Sequence, residues 1–581
     1  MNQNNKLEEI RHSLAHLLAA AVLELYPETK PTIGPAIENG FYYDFDFGDV
    51  KISEEDLPKI EKKMKEILPN WEGFEKQVVT AKVAKDKYKD NPYKTELIDE
   101  LEKEDSKISL YTSGDFTDLC RGGHVDKPNK EIVADAFKLS SLAGAYWRGD
   151  EKNKMLTRIY GLAFESKKEL EEYEKRMKEA KERDHRKLGK ELDLFMFSEL
   201  VGPGLPLWTP KGTLLRDLLD SFVWELRKKR GYEKVEIPHI TKKDLYETSG
   251  HWDKFGDELF KAGTREGHQF VIKPMNCPHH TQIFDRKMHS YKEMPQRYAN
   301  TTMVYRDEQT GELSGLTRVR SITQDDAHVF ARFSQVKEEA IKIWDIVEEF
   351  YGAFDIKTKA TLSIHDPENM DKYLGTEEVW NSAIAQFEEV IKEKGEEVEK
   401  VVGEAAFYGP KIDFIGKDSL GREWQVATIQ LDMNMPERFA LTCVNEKGEK
   451  ERITMLHAAI MGSIERFMAL MLEHLGGKFP LWLSPVQVKI LPIAEAHQNF
   501  AKEIGEKLKN EGIRDEIDDS SEKLGKKIRN TKLEKIPYYM VIGDNEMSSG
   551  ILKIEDREEN AEEMSIEKLI EKLREEVGSR K

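Results

Sequence analysis

Between Val304 and Phe330 the chain reads VYRDEQTGELSGLTRVRSITQDDAHVF, and no other stretch restricts its fold and chemistry as tightly. A β-rich run ends in Arg306, Asp307 and Glu308. Gly311 and Gly315 supply a turn, and a second run leads from Arg318 and Arg320 to Gln324, Asp325, Asp326 and His328. The pattern predicts two antiparallel strands joined by a polar loop, with charged side chains converging on one face. Guanidinium groups there would suit a carboxylate and a triphosphate, because their planar fork pairs bidentately with either. Taken alone, the stretch fits a surface hairpin with solvated charges equally well.

At 581 residues the chain is too long for one core and is expected to divide into three or four domains. Its 39% hydrophobic and 34% charged residues describe a soluble globular protein. No apolar run approaches a membrane span, and MNQNNKLEEIRH lacks a signal-peptide core, so the expectation is a cytoplasmic protein with no membrane partner. Only three cysteines, Cys120, Cys277 and Cys443, are present. They make no disulfide framework, and each must be a core thiol, a ligand or a reactive group. The net charge of −19 argues against indiscriminate coating of nucleic acid, while leaving room for a local basic face.

The predicted class is α+β, in several domains. Residues 1–163 alternate short apolar runs with Gly and Pro turns. Residues 164–190 are mostly Glu, Lys and Arg, with Leu170, Tyr173 and Met177 at helical spacing, which predicts one exposed connecting helix ending at Gly189. A mixed region spans 191–484. Within it Gly212 to Gly231 reads as an amphipathic helix and Tyr232 to Pro238 as a strand. Residues 485–581 alternate strand and helix, the pattern of a small α/β unit with parallel strands and crossover helices.

Two groups of residues could carry metal or acid–base chemistry. His12 and His16 share a helical segment at i, i+4, so both imidazoles face one side, and Cys120-Arg-Gly-Gly-His124 offers a thiol and an imidazole on a tight turn. Singly, each is an ordinary structural residue; together they favour a site. That site is either tetrahedral zinc or a metal-free pocket in which imidazoles activate water for ester hydrolysis. The second group, Cys277, His328 and His457, is dispersed, and spacing alone does not assemble it.

Several motifs, in order along nearly the whole chain, carry a family resemblance. Gly462-Ser-Ile-Glu-Arg466, Tyr305-Arg-Asp-Glu308 and the helix–strand–Pro238 element resemble motifs 3, 2 and 1 of class II aminoacyl-tRNA synthetases. Asn276-Cys277-Pro278, Gln324-Asp-Asp-Ala-His328, Met455-Leu-His457, Ser249-Gly-His-Trp252 and Arg183-Asp-His-Arg-Lys-Leu-Gly189 are similar to the threonyl-tRNA synthetases in particular. The His12, His16, Cys120 and His124 group resembles that family's editing domain, which is related to that of alanyl-tRNA synthetase. Two departures stand out: the chain opens at the editing domain, without a further N-terminal β-rich domain, and the strand Gly550 to Arg557 is more acidic than the family pattern.

The resemblance implies an editing domain (1–163), a linker helix (164–190), a class II catalytic domain built on an antiparallel sheet of six-stranded type (191–484) and an α/β anticodon-binding domain (485–581). It implies ligation of tRNA(Thr) with L-threonine at the expense of ATP, hydrolytic removal of mischarged serine, and a homodimer formed through motif 1. Cys277, His328 and His457 would bind one Zn²⁺, and Mg²⁺ would accompany ATP. Arg306 and Arg466 would act on the reacting phosphates, with Glu308, Arg318, Gln425 and Gln430 completing the ATP pocket and Lys411 a further candidate for the α-phosphate. Gln324, Asp326 and Tyr408 would orient threonine, and His251 would assist its transfer to the terminal ribose. Asp118 would serve beside the editing histidines. In the basic run Lys523 to Lys535, the residues Lys526, Lys527 and Arg529, with Arg557, would meet tRNA; a solvated helix face is the alternative. The rival readings are a prolyl- or seryl-type ligase, against which the Cys/His/His set argues, and a non-catalytic RNA-binding paralogue, against which the intact Arg306, Arg318 and Arg466 argue.

Overall fold

The computed structural model describes residues 3–254, 256–418 and 421–580, with side chains from Lys6 onward. It divides into two compact units, residues 1–178 and 179–581.

The first unit opens with the helix Gln3–Leu25, whose apolar side, including Leu14, Leu17, Leu18 and Val22, is fully buried. It packs on an antiparallel sheet formed by Gly40–Asp46, Met155–Ala163 and Phe137–Tyr146, with two short strands at Lys30–Pro31 and Ala36–Ile37. Gly40 and Gly161 permit the closest strand approach: a Cβ at Gly40 would lie 1.9 Å from the Gly161 carbonyl oxygen. A second sheet, Glu75–Val79, Ile108–Ser113 and Phe116–Leu119, carries Asp118 and leads into the Cys120 turn.

The expected single helix over 166–190 is two helices, Lys167–Glu182 and His185–Glu191. Asp184 breaks it: its backbone is extended (ψ 124°) and its side chain accepts the Arg186 amide, an N-cap that starts a new helix. The second helix is not solvated on all sides, because His185, Leu188 and Gly189 are buried.

The centre of the second unit is an eight-stranded sheet. Six strands run antiparallel in the order Gln296–Tyr305, Ser321–Ala331, Thr454–Ser463, Glu423–Asp432, Lys411–Lys417 and Thr358–Ile364, and each edge gains one short parallel strand, Glu233–Lys234 or Glu399–Val402. The hairpin expected over 304–330 is present, with Tyr305 opposite Ser321 and Gln296 opposite Phe330. The strand expected over 232–238 shrinks to Glu233–Lys234; beyond it, Val235 still donates to the Ala299 carbonyl, but Pro238 has no N–H to extend the ladder. Helices Pro210–Lys229, Val336–Gly352 and Ile464–Leu475 cover the sheet with a core that includes Leu219, Phe350 and Phe467.

Residues 488–564 form a mixed five-stranded sheet in which Val488–Pro492 pairs in parallel with Asp515–Ile517 and Tyr538–Ile542, while Leu552–Asp556 and Ala561–Met564 add antiparallel strands. The basic run expected to face solvent is split by burial. Lys526 and Arg529 are exposed, but Lys527 is only 4% exposed, and its ammonium donates to the Pro492 and Asp518 carbonyls. Arg557 is likewise spent inside the fold, on the carbonyls of Lys535 and Phe479 and the Ser484 hydroxyl.

Candidate active sites

In the first unit the histidine helix and the glycine turn meet. Ligand atoms of His12, His16, Cys120 and His124 lie within 4.8 Å of one another. The Cys120 Sγ sits 3.4 Å from His12 Nε2 and 3.5 Å from His124 Nε2, and His16 Nε2 is 3.3 Å from His12 Nε2. Gly122 and Gly123, at φ of 105° and 89°, let the turn carry Cys120 and His124 to the same spot. Burial works against a charged thiol, yet the three imidazoles outweigh it and pull Cys120 down to about 3.

Behind this group Asp118 anchors a buried polar chain whose other members, Tyr43 and Lys94, the sequence did not reveal. Asp118 Oδ2 accepts from the Tyr43 hydroxyl at 2.6 Å and lies 3.2 Å from His16 Nδ1, while Asp118 Oδ1 is 2.5 Å from the Lys94 ammonium. Burial disfavours charge on His16, but the Asp118 carboxylate overcomes it and pushes the imidazole up to about 9. The charge-paired carboxylate itself is held well below its ordinary range by Lys94 and His16, against the cost of burial. Neither Lys94 nor Tyr43 shares a motif with the histidines, so only the fold brings them there.

In the second unit strand register assembles the dispersed set. His328 lies directly opposite His457, His457 opposite Gln430, and Gln430 opposite Lys411, a row across four strands on one face. Asp326 and Gln324 follow on the His328 strand at alternate positions. Cys277 enters from the first turn of the helix Cys277–Phe284, and ligand atoms of Cys277, His328 and His457 lie within 4.8 Å of one another, all three residues buried. His328 Nε2 and His457 Nδ1 face each other at 3.1 Å, while their other ring nitrogens are engaged by His280 at 2.8 Å and Asp432 at 3.1 Å.

These donors fit zinc. Two nitrogens on one tetrahedral Zn²⁺ at about 2.0–2.1 Å stand roughly 3.3 Å apart, close to the spacing observed, and second-sphere partners such as His280 and Asp432 are what ligating imidazoles require. Burial holds His328 neutral and pushes the Cys277 thiol well up, so a thiolate there needs a cation. Sequence reasoning missed His280 and Asp432; the adjacent His279-His280 pair after Cys277 was the one available signal.

Around the set, Tyr408 stacks on His457 at 4.9 Å between ring centroids and its hydroxyl donates to Gln430. Asn276 donates to Asp326 at 3.0 Å, and Lys411 pairs with Asp413, which also accepts from Gln425. His251 is fully buried beside Cys277, its Nε2 3.8 Å from the sulfur and its Nδ1 2.8 Å from the Ser249 hydroxyl; burial pulls it down to about 3.

The hairpin loop supplies the cationic side. Arg318 pairs with Glu308 at 2.7 Å and with Glu312 at 3.1 Å, and Arg466 Nε donates to the Thr317 carbonyl at 3.1 Å. Arg466 is held below the ordinary guanidinium range, first by burial and then by the positive charges of Arg306 and Arg318. Arg306 and Arg318 crowd Arg466 with like charge that Glu308 offsets only in part, an arrangement that favours a polyanion beside them.

Comparison with known proteins accords with this geometry. Family models match for the tRNA synthetase class II core domain (G, H, P, S and T) over residues 260–475, an anticodon binding domain over 487–576, and the threonyl and alanyl tRNA synthetase second additional domain over 108–160. The threonine–tRNA ligase of Flavobacterium johnsoniae is 51% identical over 94% of this chain and 84% of its own length. That of Gloeobacter violaceus is 47% identical over 99% and 93%. Among solved structures, the RNA binding domain of threonyl-tRNA synthetase from Cryptosporidium parvum Iowa II superposes with a TM-score of 0.65 at 36% identity, over 68% of this chain and 98% of that one. Giardia lamblia prolyl-tRNA synthetase, at 16% identity and a TM-score of 0.55, over 70% of this chain and 80% of that one, shares the fold. With half its residues identical to those relatives over nearly its full length, the chain belongs to the threonyl-tRNA synthetases.

Proposed function

We propose that the chain activates L-threonine with ATP, transfers it to tRNA(Thr), and hydrolyses Ser-tRNA(Thr) at a separate site. The observation that carries the reading is that the Arg306, Arg318 and Arg466 cluster adjoins the buried Cys277/His328/His457 set, the Arg306 charge acting on the Cys277 thiol. A ligand for that pair has a small polar end and a polyanionic end, as an amino acid and ATP do.

In this reading the threonine carboxylate attacks the α-phosphate in line and pyrophosphate leaves. Arg306 neutralises the charge that develops between the two, Arg466 and Arg318 hold the β- and γ-phosphates with Mg²⁺, and Lys411 backs the α-phosphate. Glu308, Gln425 and Gln430 close the pocket. Cys277, His328 and His457 would hold Zn²⁺, which when bound offers an open position to the amino and hydroxyl groups of threonine. Asp326, Gln324 and Tyr408 orient the substrate at that end. His251, neutral and anchored by Ser249, orients the terminal ribose for transfer.

Serine keeps both polar groups and lacks only a methyl, a difference worth about 10–200-fold at best. A second sieve is then required, and His12, His16, Cys120 and His124, with Asp118 behind them, are assigned to hold water against the ester. Lys526 and Arg529 remain the exposed candidates for tRNA contact. A homodimer through the motif 1 element, the helix and strand that lead to Pro238, and a cytoplasmic site of action complete the proposal.

The test is charging of tRNA(Thr) with threonine, serine and valine in excess Mg²⁺, with and without a zinc-selective chelator. Accumulation of Thr-tRNA alone, lost on chelation, supports the reading. Zinc-free charging that still rejects valine overturns the metal assignment.

A further inference from the structure

A third cluster stands apart from both sites. Asp184, His185 and Glu473 bring ligand atoms within 4.8 Å of one another. They are not arranged to wait for an ion, because both imidazole nitrogens are already used. His185 Nδ1 is 2.7 Å from Glu473 Oε1, which also accepts the His185 amide at 3.1 Å, and Glu473 is neutralised by Arg422. On the opposite edge of the ring, Nε2 accepts the backbone N–H of Leu316 at 3.0 Å. A carboxylate acceptor on Nδ1 therefore fixes the proton there and leaves Nε2 as a lone pair.

Leu316 is the tip of a tight turn within the hairpin loop. Ser314 and Arg318 bridge across it, Gly315 takes φ of 49°, and a Cβ on Gly315 would stand 2.2 Å from His185 Nε2. The two residues after Leu316 reach the phosphate-facing arginines: Thr317 offers its carbonyl to Arg466, and Arg318 is itself one of the three. Glu473, the other anchor, lies on the Ile464–Leu475 helix that begins beside Arg466. One imidazole thus ties the loop and that helix together from behind.

We propose that His185 is a positioning residue for ATP: by accepting the Leu316 N–H it holds the 314–318 turn at the height where Arg318 and Arg466 grip the triphosphate. The inference rests on the assignment of those arginines to ATP made above. Its reach is confined to the nucleotide end, since the described partners of His185, Glu473 and the Leu316 amide, do not include Asp326, Tyr408 or the Cys277/His328/His457 set.

Two substitutions separate the edges of the ring. In His185→Asn the amide nitrogen takes the place of Nδ1 and keeps the Glu473 bond, but nothing reaches Leu316. In His185→Gln the side chain is long enough to offer an acceptor to Leu316. With the full chain, ATP affinity is measured by titration calorimetry, KM for ATP and for threonine by pyrophosphate exchange, and amide exchange over the 313–319 segment by mass spectrometry. The loss of one hydrogen bond predicts ATP binding weakened about three- to tenfold in His185→Asn, faster amide exchange at that segment, and a threonine KM unchanged within about twofold. His185→Gln should recover most of both losses. Unchanged ATP affinity in His185→Asn, or equal losses in the two variants, overturns the proposal. If the parent chain shows no threonine-dependent exchange, the ligase reading itself fails, while the contrast in amide exchange still reports the bond from His185 to Leu316.

Discussion

Replacing Lys94 with Met tests the buried chain behind the first site. Lys94 and Asp118 have side chains only 2% and 3% exposed, and their charged atoms meet at 2.5 Å. Methionine keeps most of the length and apolar stem of lysine and removes the ammonium. Asp118 then keeps three partners, the Tyr43 hydroxyl at 2.6 Å, the Leu119 amide at 2.8 Å and His16 at 3.2 Å, but loses its fixed positive charge. Breaking a buried pair from one side costs about 3–5 kcal/mol, and the three surviving partners place this case at the low end, about 3 kcal/mol. At about 1.4 kcal/mol per decade, the opening equilibrium of this region should rise about 10²-fold. Native-state amide exchange on peptides from the strands Gly40–Asp46 and Ile108–Ser113 measures it, with the strand Gln296–Tyr305 of the other unit as an internal control. Lys94→Met/Asp118→Asn, which removes both charges, should be less destabilised than Lys94→Met alone. Exchange at the parent rate in the single variant, or a double variant worse than the single, would refute the claim that Lys94 sustains the buried carboxylate.

Three further outcomes are expected. Cys277→Ser should lower bound zinc, read by metal analysis, and abolish threonine activation. Arg306→Ala should cut the activation rate about 10²-fold or more, the scale of one lost transition-state donor; a variant activating threonine at the parent rate contradicts the assignment. His12→Ala/His16→Ala should leave Thr-tRNA synthesis nearly intact while preformed Ser-tRNA is cleared far more slowly, as followed by a deacylation time course.

What could be seen in the sequence was whatever repeats at short range. The hairpin announced itself because two β-rich runs flank a polar loop that holds two glycines. His12 and His16 announced themselves by helical spacing. Lys94 and Tyr43 could not, since each reaches Asp118 only through packing of segments far apart in the chain. The internal bonds of Lys527 and Arg557 were not legible, because composition reports charge and not burial: a lysine whose ammonium meets two carbonyls reads the same as one in water. The break at Asp184 was hidden because an Asp inside a run of Glu and Lys looks like one more solvated charge, whereas here its carboxylate caps a helix. His185 stood inside a recognised motif, but its partners Leu316 and Glu473 lie more than a hundred residues away.

The measurement that bears most directly on the central claim is amino-acid-dependent exchange of pyrophosphate into ATP by the unmodified chain, with threonine, serine and valine compared. The account predicts strong exchange with threonine, exchange with serine lower by about 10–200-fold, and exchange with valine lower by about 10⁴-fold or more, because valine leaves the polar groups of the pocket unpaired. Exchange with valine comparable to that with threonine, or no exchange with threonine at all, would contradict it.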